Sequence, residues 1–247
     1  DHRFSAIPFF LWRERMLQSD ESICRLHGKT VLIQSRKAFC ATTDSVLLAD
    51  FCRVRAGDRC LDLGSGQGIL AVSLLSRYEP KSVTALECDT ILCERLQRTA
   101  EQNGTDNLRV VQGDLRNIEA LFRPGSFDFA AANPPYFPVG AGKPPKDPAR
   151  RAALCEESAT LEDVLRAGLY ALRFSGRMCL CLPVQRICEA AVLARQFGGE
   201  LKRMRLVAAY AQSVPRLALL EIRRGGKPGL QVEPLLVLYD APGVWSA

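Results

Sequence analysis

From about residue 57 onward the sequence alternates short apolar runs with amphipathic stretches, and this alternation constrains the fold more than any other property of the chain. Arg59-Cys60-Leu61-Asp62-Leu63 reads as a buried strand, and Ile69 to Tyr78 has apolar positions at helical spacing. Ser82 to Glu87 reads as a second strand, and Ile91 to Asn103 as a helix with Gly104 just past its end. Leu108 to Gln112 and Phe127 to Ala132 supply a third and a fourth strand. A helix over Leu161 to Phe174, followed by Gly176, precedes a fifth strand at Met178 to Val184 and a further helix at Ile187 to Phe197. Strands that alternate with helices imply an α/β fold whose mostly parallel sheet is covered on both faces. Two late strands, Lys202 to Ala209 and Arg216 to Arg223, have no helix between them and are expected to form an antiparallel pair at one edge. A short strand is possible at Leu235 to Tyr239.

The spacing predicts one domain over residues 1–247, with a core at 57–240. Residues 1–56 are expected to be an N-terminal extension carrying a strand at Thr30 to Gln34 and a helix from Thr43 to Val54, capped by Thr42, Thr43 or Asp44. The chain opens on Asp1, which allows a longer natural N-terminus. An apolar run at Ile7 to Trp12 is too short and lacks the basic leader of a signal peptide. No apolar run is long enough to span a membrane.

Composition narrows the chemistry. Only two histidines occur, His2 and His27, so His-based acid–base or triad chemistry is not expected. None of the ten cysteines forms a C-x-x-C pair, so neither a zinc site nor a disulfide framework is expected. Buried free thiols fit a reducing, cytoplasmic compartment. The net charge of +6 permits a polyanionic partner without requiring one.

The chemistry is concentrated at the carboxyl ends of the first four strands, where open α/β sheets bind ligands. Asp62-Leu63-Gly64-Ser65-Gly66-Gln67-Gly68 joins the first strand to its helix. Glycines at alternate positions let the backbone turn tightly and approach a ligand. The spacing is G-x-G-x-G after an acid, and Ile69 stands where a dinucleotide fingerprint would place its third glycine. Glu87 ends the second strand, where a carboxylate can grip ribose hydroxyls or sit favourably at a helix N-terminus. Asp114 follows the third strand and can accept from an adenine amino group or cap the next helix.

Asn133-Pro134-Pro135-Tyr136 closes the fourth strand. The Asn side-chain oxygen and the Pro134 carbonyl can both accept from a planar NH2, the Pro-Pro pair stiffens the backbone, and the Tyr136 ring offers a stacking face. Downstream, Phe137 to Ala159 forms a long loop with Pro138, Pro144, Pro145 and Pro148 and the cations Lys143, Lys146, Arg150 and Arg151. These cations are placed to hold phosphates flanking a bound base, or to form a solvated basic loop. Lys202, Arg203 and Arg205 make a second basic cluster, read as a solvated strand edge or as a phosphate contact.

The ordered series of glycine loop, acid, acid and Asn-Pro-Pro-Tyr resembles class I S-adenosylmethionine-dependent methyltransferases across about residues 40–225. Within them the chain resembles the bacterial-type tRNA (adenine-N6)-methyltransferase family acting on valine tRNA. Thr43-Asp44-Ser45-Val46-Leu47-Leu48-Ala49, Asn133-Pro134-Pro135-Tyr136-Phe137 and Thr160-Leu161-Glu162-Asp163-Val164-Leu165 carry this resemblance. The sequence departs from it at Ala153-Leu154-Cys155-Glu156, where many relatives have Ala-Arg-His-Glu.

The resemblance implies a Rossmann-like sheet of seven strands, S-adenosylmethionine as cofactor and RNA, above all tRNA, as substrate. It places Thr43, Asp62, Gly64, Ser65, Gly66, Gly68, Glu87, Cys88, Asp114, Leu115 and Asn133 around the cofactor. Asn133, Pro134, Pro135 and Tyr136 become the catalytic group, and Tyr136, Phe137, Lys143, Lys146, Arg150 and Arg151 the substrate contacts. Ribosomal RNA, DNA, a cytosine amine or a protein glutamine remain alternative acceptors, and a non-catalytic RNA-binding module is the alternative of another class. A monomer is the default expectation.

Overall fold

The computed structural model describes residues 17–26, 30–35, 43–134, 159–241 and 244–246, and within them the strands form where the apolar runs lie. An N-terminal hairpin, β1 (Glu21–Arg25) and β2 (Val31–Ser35), precedes helix α1 (Thr43–Phe51). The repeating part follows as β3 (Arg59–Leu63), α2 (Ile69–Arg77), β4 (Ser82–Glu87), α3 (Thr90–Asn103) and β5 (Leu108–Gln112). A 3-10 turn at Leu115–Asn117 and the short α4 (Ile118–Leu121) lead to β6 (Phe127–Ala132). The chain then forms α5 (Leu161–Ala171), β7 (Leu172–Pro183), α6 (Ile187–Gln196), β8 (Gly199–Ala208) and β9 (Leu217–Arg224). Short strands β10 (Gln231–Val232), β11 (Leu236–Val237), β12 (Tyr239–Ala241) and β13 (Val244–Trp245) complete the described residues.

The seven expected strands pair in the order β5-β4-β3-β6-β7-β9-β8, parallel except for β9, which runs antiparallel to both its neighbours. The late pair does not end the sheet. Both β10 and β11 add to β8 in parallel and widen the sheet to nine strands. The period of two along each strand sorts the side chains between two cores. Phe129, Ala131, Cys179 and Cys181 face α1, α2 and α3, while Ala130, Ala132, Met178 and Leu180 face α5 and α6. Phe129 is fully buried, a contribution of about 1.5–3 kcal/mol by area removed from water.

Several helix limits differ from expectation. Helix α5 stops at Ala171 rather than Phe174, and Gly176, expected just past the helix, lies inside β7. The cause is pairing: Leu172 already aligns with Phe127, and Arg173 Nε donates to Asp128 Oδ1 at 2.5 Å. Asp128 also accepts from the backbone N–H and Nε of Arg59. Burial pushes its pKa up, but these bonds outweigh it and hold the carboxyl at about 2. Helix α1 begins at Thr43 and ends at Phe51, so Thr43 and Asp44 lie in its first turn and do not cap it. Residue 42 falls outside the described residues.

The hairpin, of which β2 alone was expected, is tied to the domain by side chains. Alternate N–H groups of β2 donate to side chains: Val31 to Asn103 Oδ1, Ile33 to Thr99 Oγ1 and Ser35 to Gln67 Oε1. Two of these acceptors lie four residues apart on α3, so a helix face replaces a neighbouring strand along that edge. Buried Glu21 accepts from Arg95 Nε at 2.9 Å and from Arg98 Nη1 and Nη2 at 2.7 and 2.6 Å.

The Arg98 bonds lower the Glu21 carboxyl from 4.5 to about 2, despite its burial. The folded state therefore binds fewer protons than the unfolded one. The stabilisation is complete above about pH 4.5 and is lost as the pH falls toward 2. Hydrogen exchange of β1 and β2, corrected for intrinsic rates, is expected to accelerate as the pH falls from 5 to 3. Glu21→Gln should expose the same amides at pH 7, and retained protection there would contradict this anchor.

Candidate active site

Because β5, β4, β3 and β6 are parallel neighbours, the segments that leave their carboxyl ends share one edge of the sheet. At the centre, Gly64, Gly66 and Gly68 have φ of 68°, 57° and 85°, a region that side chains rarely adopt. Gly64 and Ser65 donate their N–H groups to Leu86 O, which binds the loop to the end of β4. A Cβ on Gly68 would lie 2.1 Å from Leu96 Cδ1, so the buried Leu96 side chain would have to shift. Beside Gly64 and Gly66, in contrast, the space a Cβ would take is open.

Asp62 is 1% exposed at the end of β3. Its Oδ2 accepts from Ser65 Oγ at 2.6 Å and from Ala71 N at 3.1 Å. Burial drives its pKa up to about 7, against the lowering effect of these two bonds, and the negative charge of Glu87 adds to the rise. Glu87 is buried and spans the loop. Oε2 accepts from Gly66 N at 2.7 Å, and Oε1 accepts from Cys88 N and Asp89 N at 2.8 and 3.0 Å. Glu87 thus organises backbone of both the glycine loop and the segment that leads into α3.

Cys88 is exposed with Sγ 3.4 Å from Glu87 Oε1. Burial of the sulfur first, then the Glu87 charge, raises its pKa to about 11, so the thiol is not an activated nucleophile. Asp114 caps the 3-10 turn through Arg116 N and also pairs with Arg116 Nε and Nη2, at 2.8 and 2.5 Å from Oδ2. The Arg116 bonds lower its pKa. Leu115 opens the same turn, half-buried against the core.

Asn133 is half-buried and Pro134 buried at the end of β6. Asn133 Nδ2 donates to Ser45 Oγ at 2.9 Å, joining the strand end to the first turn of α1, where Thr43 is exposed. Pro135, Tyr136, Phe137, Lys143, Lys146, Arg150 and Arg151 lie outside the described residues. The expected sites Asp62, Gly64, Ser65, Gly66, Gly68, Glu87, Cys88, Asp114, Leu115 and Asn133 all fall on the same edge.

Sequence reasoning missed Ser45, Gln67 and Arg116 as parts of this arrangement. Ser45 lay within a recognised segment, but nothing local marks it as a partner of a residue 88 positions away. Arg203 corrects the second basic cluster. It is 4% exposed, donates to Glu221, Glu233 and Phe51 O, and lies 3.7 Å over the Phe51 ring. Lys202 and Arg205 donate to Lys227 O and Pro234 O. Arg203 is therefore a buried structural cation, unavailable to phosphate.

Residues 60–140 match a family described as a methyltransferase domain. The chain is 30% identical over 217 residues to the tRNA1(Val) (adenine(37)-N6)-methyltransferase of Tolumonas auensis, covering 86% of this chain and 87% of that protein. It is 28% identical over 214 residues to the protein of the same name from Porphyromonas gingivalis strain W83, covering 83% of each. Among solved structures, a predicted O-methyltransferase from Agrobacterium tumefaciens superposes with a TM-score of 0.66 at 17% identity, over 83% of this chain and 92% of that one.

Proposed function

The chain belongs to the tRNA1(Val) (adenine(37)-N6)-methyltransferase family, and from that premise we propose that it transfers the methyl group of S-adenosylmethionine to N6 of an adenine in tRNA. The observation that carries this reading is Asn133 at the end of β6, beside the glycine loop, with its amide nitrogen engaged by Ser45. We assign the amide oxygen as the atom that accepts from a substrate amino group.

The cofactor suits the residues of this edge. The open space beside Gly64 and Gly66 admits a ligand against the backbone, and the carboxylates of Asp62, Glu87 and Asp114 favour a cationic one. Asp62, Gly64, Ser65, Gly66, Gly68, Glu87, Cys88, Asp114, Leu115 and Thr43 would hold it. When bound, S-adenosylmethionine supplies a methyl group already activated on a sulfonium.

Asn133 Oδ1 and the Pro134 carbonyl accept from the N6 amino group, hold it in place and stabilise the positive charge that grows on the nitrogen. The surplus proton leaves the nitrogen for water, so no strong base is required. The target base must be unpaired or flipped to reach this edge. Tyr136 and Phe137 would stack on it, about 1–3 kcal/mol per base, while Lys143, Lys146, Arg150 and Arg151 hold flanking phosphates. Cytoplasmic action fits the buried free thiols Cys52, Cys60, Cys179 and Cys181.

The pKa of Asp62 makes cofactor binding depend on pH. A cationic ligand prefers the carboxylate, yet below about pH 7 the buried group holds a proton in the free protein. Affinity for S-adenosylmethionine is expected to fall as the pH drops from 7 to 5, with proton release on binding near pH 6. Calorimetry in buffers of different ionisation heat checks this, and Asp62→Asn should abolish the dependence.

The function itself is tested by incubating the full chain with methyl-labelled cofactor and total RNA, genomic DNA or protein extract, followed by nucleoside and amino-acid analysis. Label in N6-methyladenosine from tRNA is expected. Label confined to DNA, ribosomal RNA or protein glutamine would replace the substrate, and no label in any fraction would overturn the activity.

A further inference from the structure

We propose that Ser45 is a positioning residue that sets which way the Asn133 amide faces during methyl transfer. This rests on the reading of Asn133 as the acceptor for the substrate amine. Ser45 Oγ accepts from Asn133 Nδ2 at 2.9 Å, and Ser45 is 8% exposed. Its mount is rigid. Leu48 and Ala49 of α1 are fully buried, Ala49 O accepts from Tyr78 Oη at 3.1 Å, and Phe51 O accepts from Arg203 Nη2 at 2.7 Å. The Arg203 guanidinium also lies over the Phe51 ring. The far end of α1 is thus pinned to the sheet while its first turn reaches the end of β6.

The need for such a device follows from the amide. Rotation by 180° about its last side-chain bond exchanges a carbonyl acceptor for an NH2 donor of nearly the same shape. An exocyclic amine offers N–H donors, so only the orientation with Oδ1 forward can grip it. In the structure Nδ2 donates to the Ser45 hydroxyl, which is the bond made with Oδ1 forward. A carboxylate has two equivalent oxygens and needs no such selection.

The test uses the full chain with tRNA, the cofactor and the variants Ser45→Ala, Ser45→Thr, Asn133→Asp and the Ser45→Ala/Asn133→Asp double variant. Ser45→Ala should lower kcat by about tenfold, the equivalent of one good hydrogen bond, with cofactor affinity within about twofold. Ser45→Thr, which keeps the hydroxyl, should restore most of the rate. In the Asn133→Asp background the same alanine change should cost less than about twofold.

A readout independent of turnover is the side-chain NH2 resonance pair of Asn133 in the cofactor-free protein, assigned by its disappearance in Asn133→Asp. One proton should be shifted downfield and slow to exchange in the wild type and in Ser45→Thr, but not in Ser45→Ala. Wild-type kcat in Ser45→Ala, an unchanged NH2 signal there, or equal losses in both backgrounds would overturn the proposal. If Asn133→Asp is too slow to measure, the threonine rescue and the NH2 signal decide. Full activity in Asn133→Ala would instead sink the reading of Asn133 beneath it, whatever the Ser45 variants do.

Discussion

Asn133→Ala is expected to lower kcat by about a thousandfold while leaving affinity for S-adenosylmethionine within a few-fold. Pre-positioned hydrogen-bonding groups aimed at developing charge typically carry a factor of about 10²–10³ each. Loss of the Asn133 acceptor also frees the amino group to rotate out of line with the methyl, which adds to the effect. Alanine removes the bond from Nδ2 to Ser45 as well, but leaves β6 paired on both sides with β3 and β7. The glycine loop and Glu87 should therefore keep their geometry. Single-turnover methylation of unmodified tRNA, with calorimetry of cofactor binding, separates the two quantities. Wild-type turnover would remove Asn133 from the chemistry, and a parallel collapse of affinity would make it a structural residue.

The second large effect is expected at Glu87. Glu87→Ala removes the acceptor for Gly66 N, Cys88 N and Asp89 N, and with it the bridge between the glycine loop and the start of α3. Charge-assisted bonds of this kind are each worth about 1.5–3 kcal/mol. Cofactor affinity should fall by about a hundredfold or more, since the loop loses its brace and the ribose its carboxylate. Glu87→Gln keeps one acceptor oxygen and should lie between the two. Titration calorimetry at pH 7.5 measures the change, and hydrogen exchange at Gly66 reports the brace separately. Unchanged affinity in Glu87→Ala would refute the ribose role, and unchanged exchange at Gly66 the bracing role.

The two residues show different degrees of legibility. Glu87 was visible as an acid at a strand end about twenty residues beyond glycines, because strand, turn and helix follow one another locally. The same local logic placed β3, β4, β5 and β6 at their observed limits. It failed where partners came from far away. The helical period runs α5 three residues past its end, because Leu172 and Arg173 belong to pairings with Phe127 and Asp128 that no such period reveals. The Lys202-Arg203-Arg205 run looked solvated because a run of cations shows its charge and not its partners. Glu221, Glu233 and the Phe51 ring turn Arg203 inward.

The alternation that makes a parallel α/β sheet, and the ordered set of groups at its strand ends, can be read along the chain, since side-chain period, glycine freedom and chain order are local properties. How those groups are held is a matter of packing. It joined Gly66 to Glu87, Ser35 to Gln67 and Ser45 to Asn133 across 21, 32 and 88 positions. Such contacts depend on how sheet, helices and hairpin pack together, and a hydroxyl or an amide carries no mark in the chain of the partner it will meet.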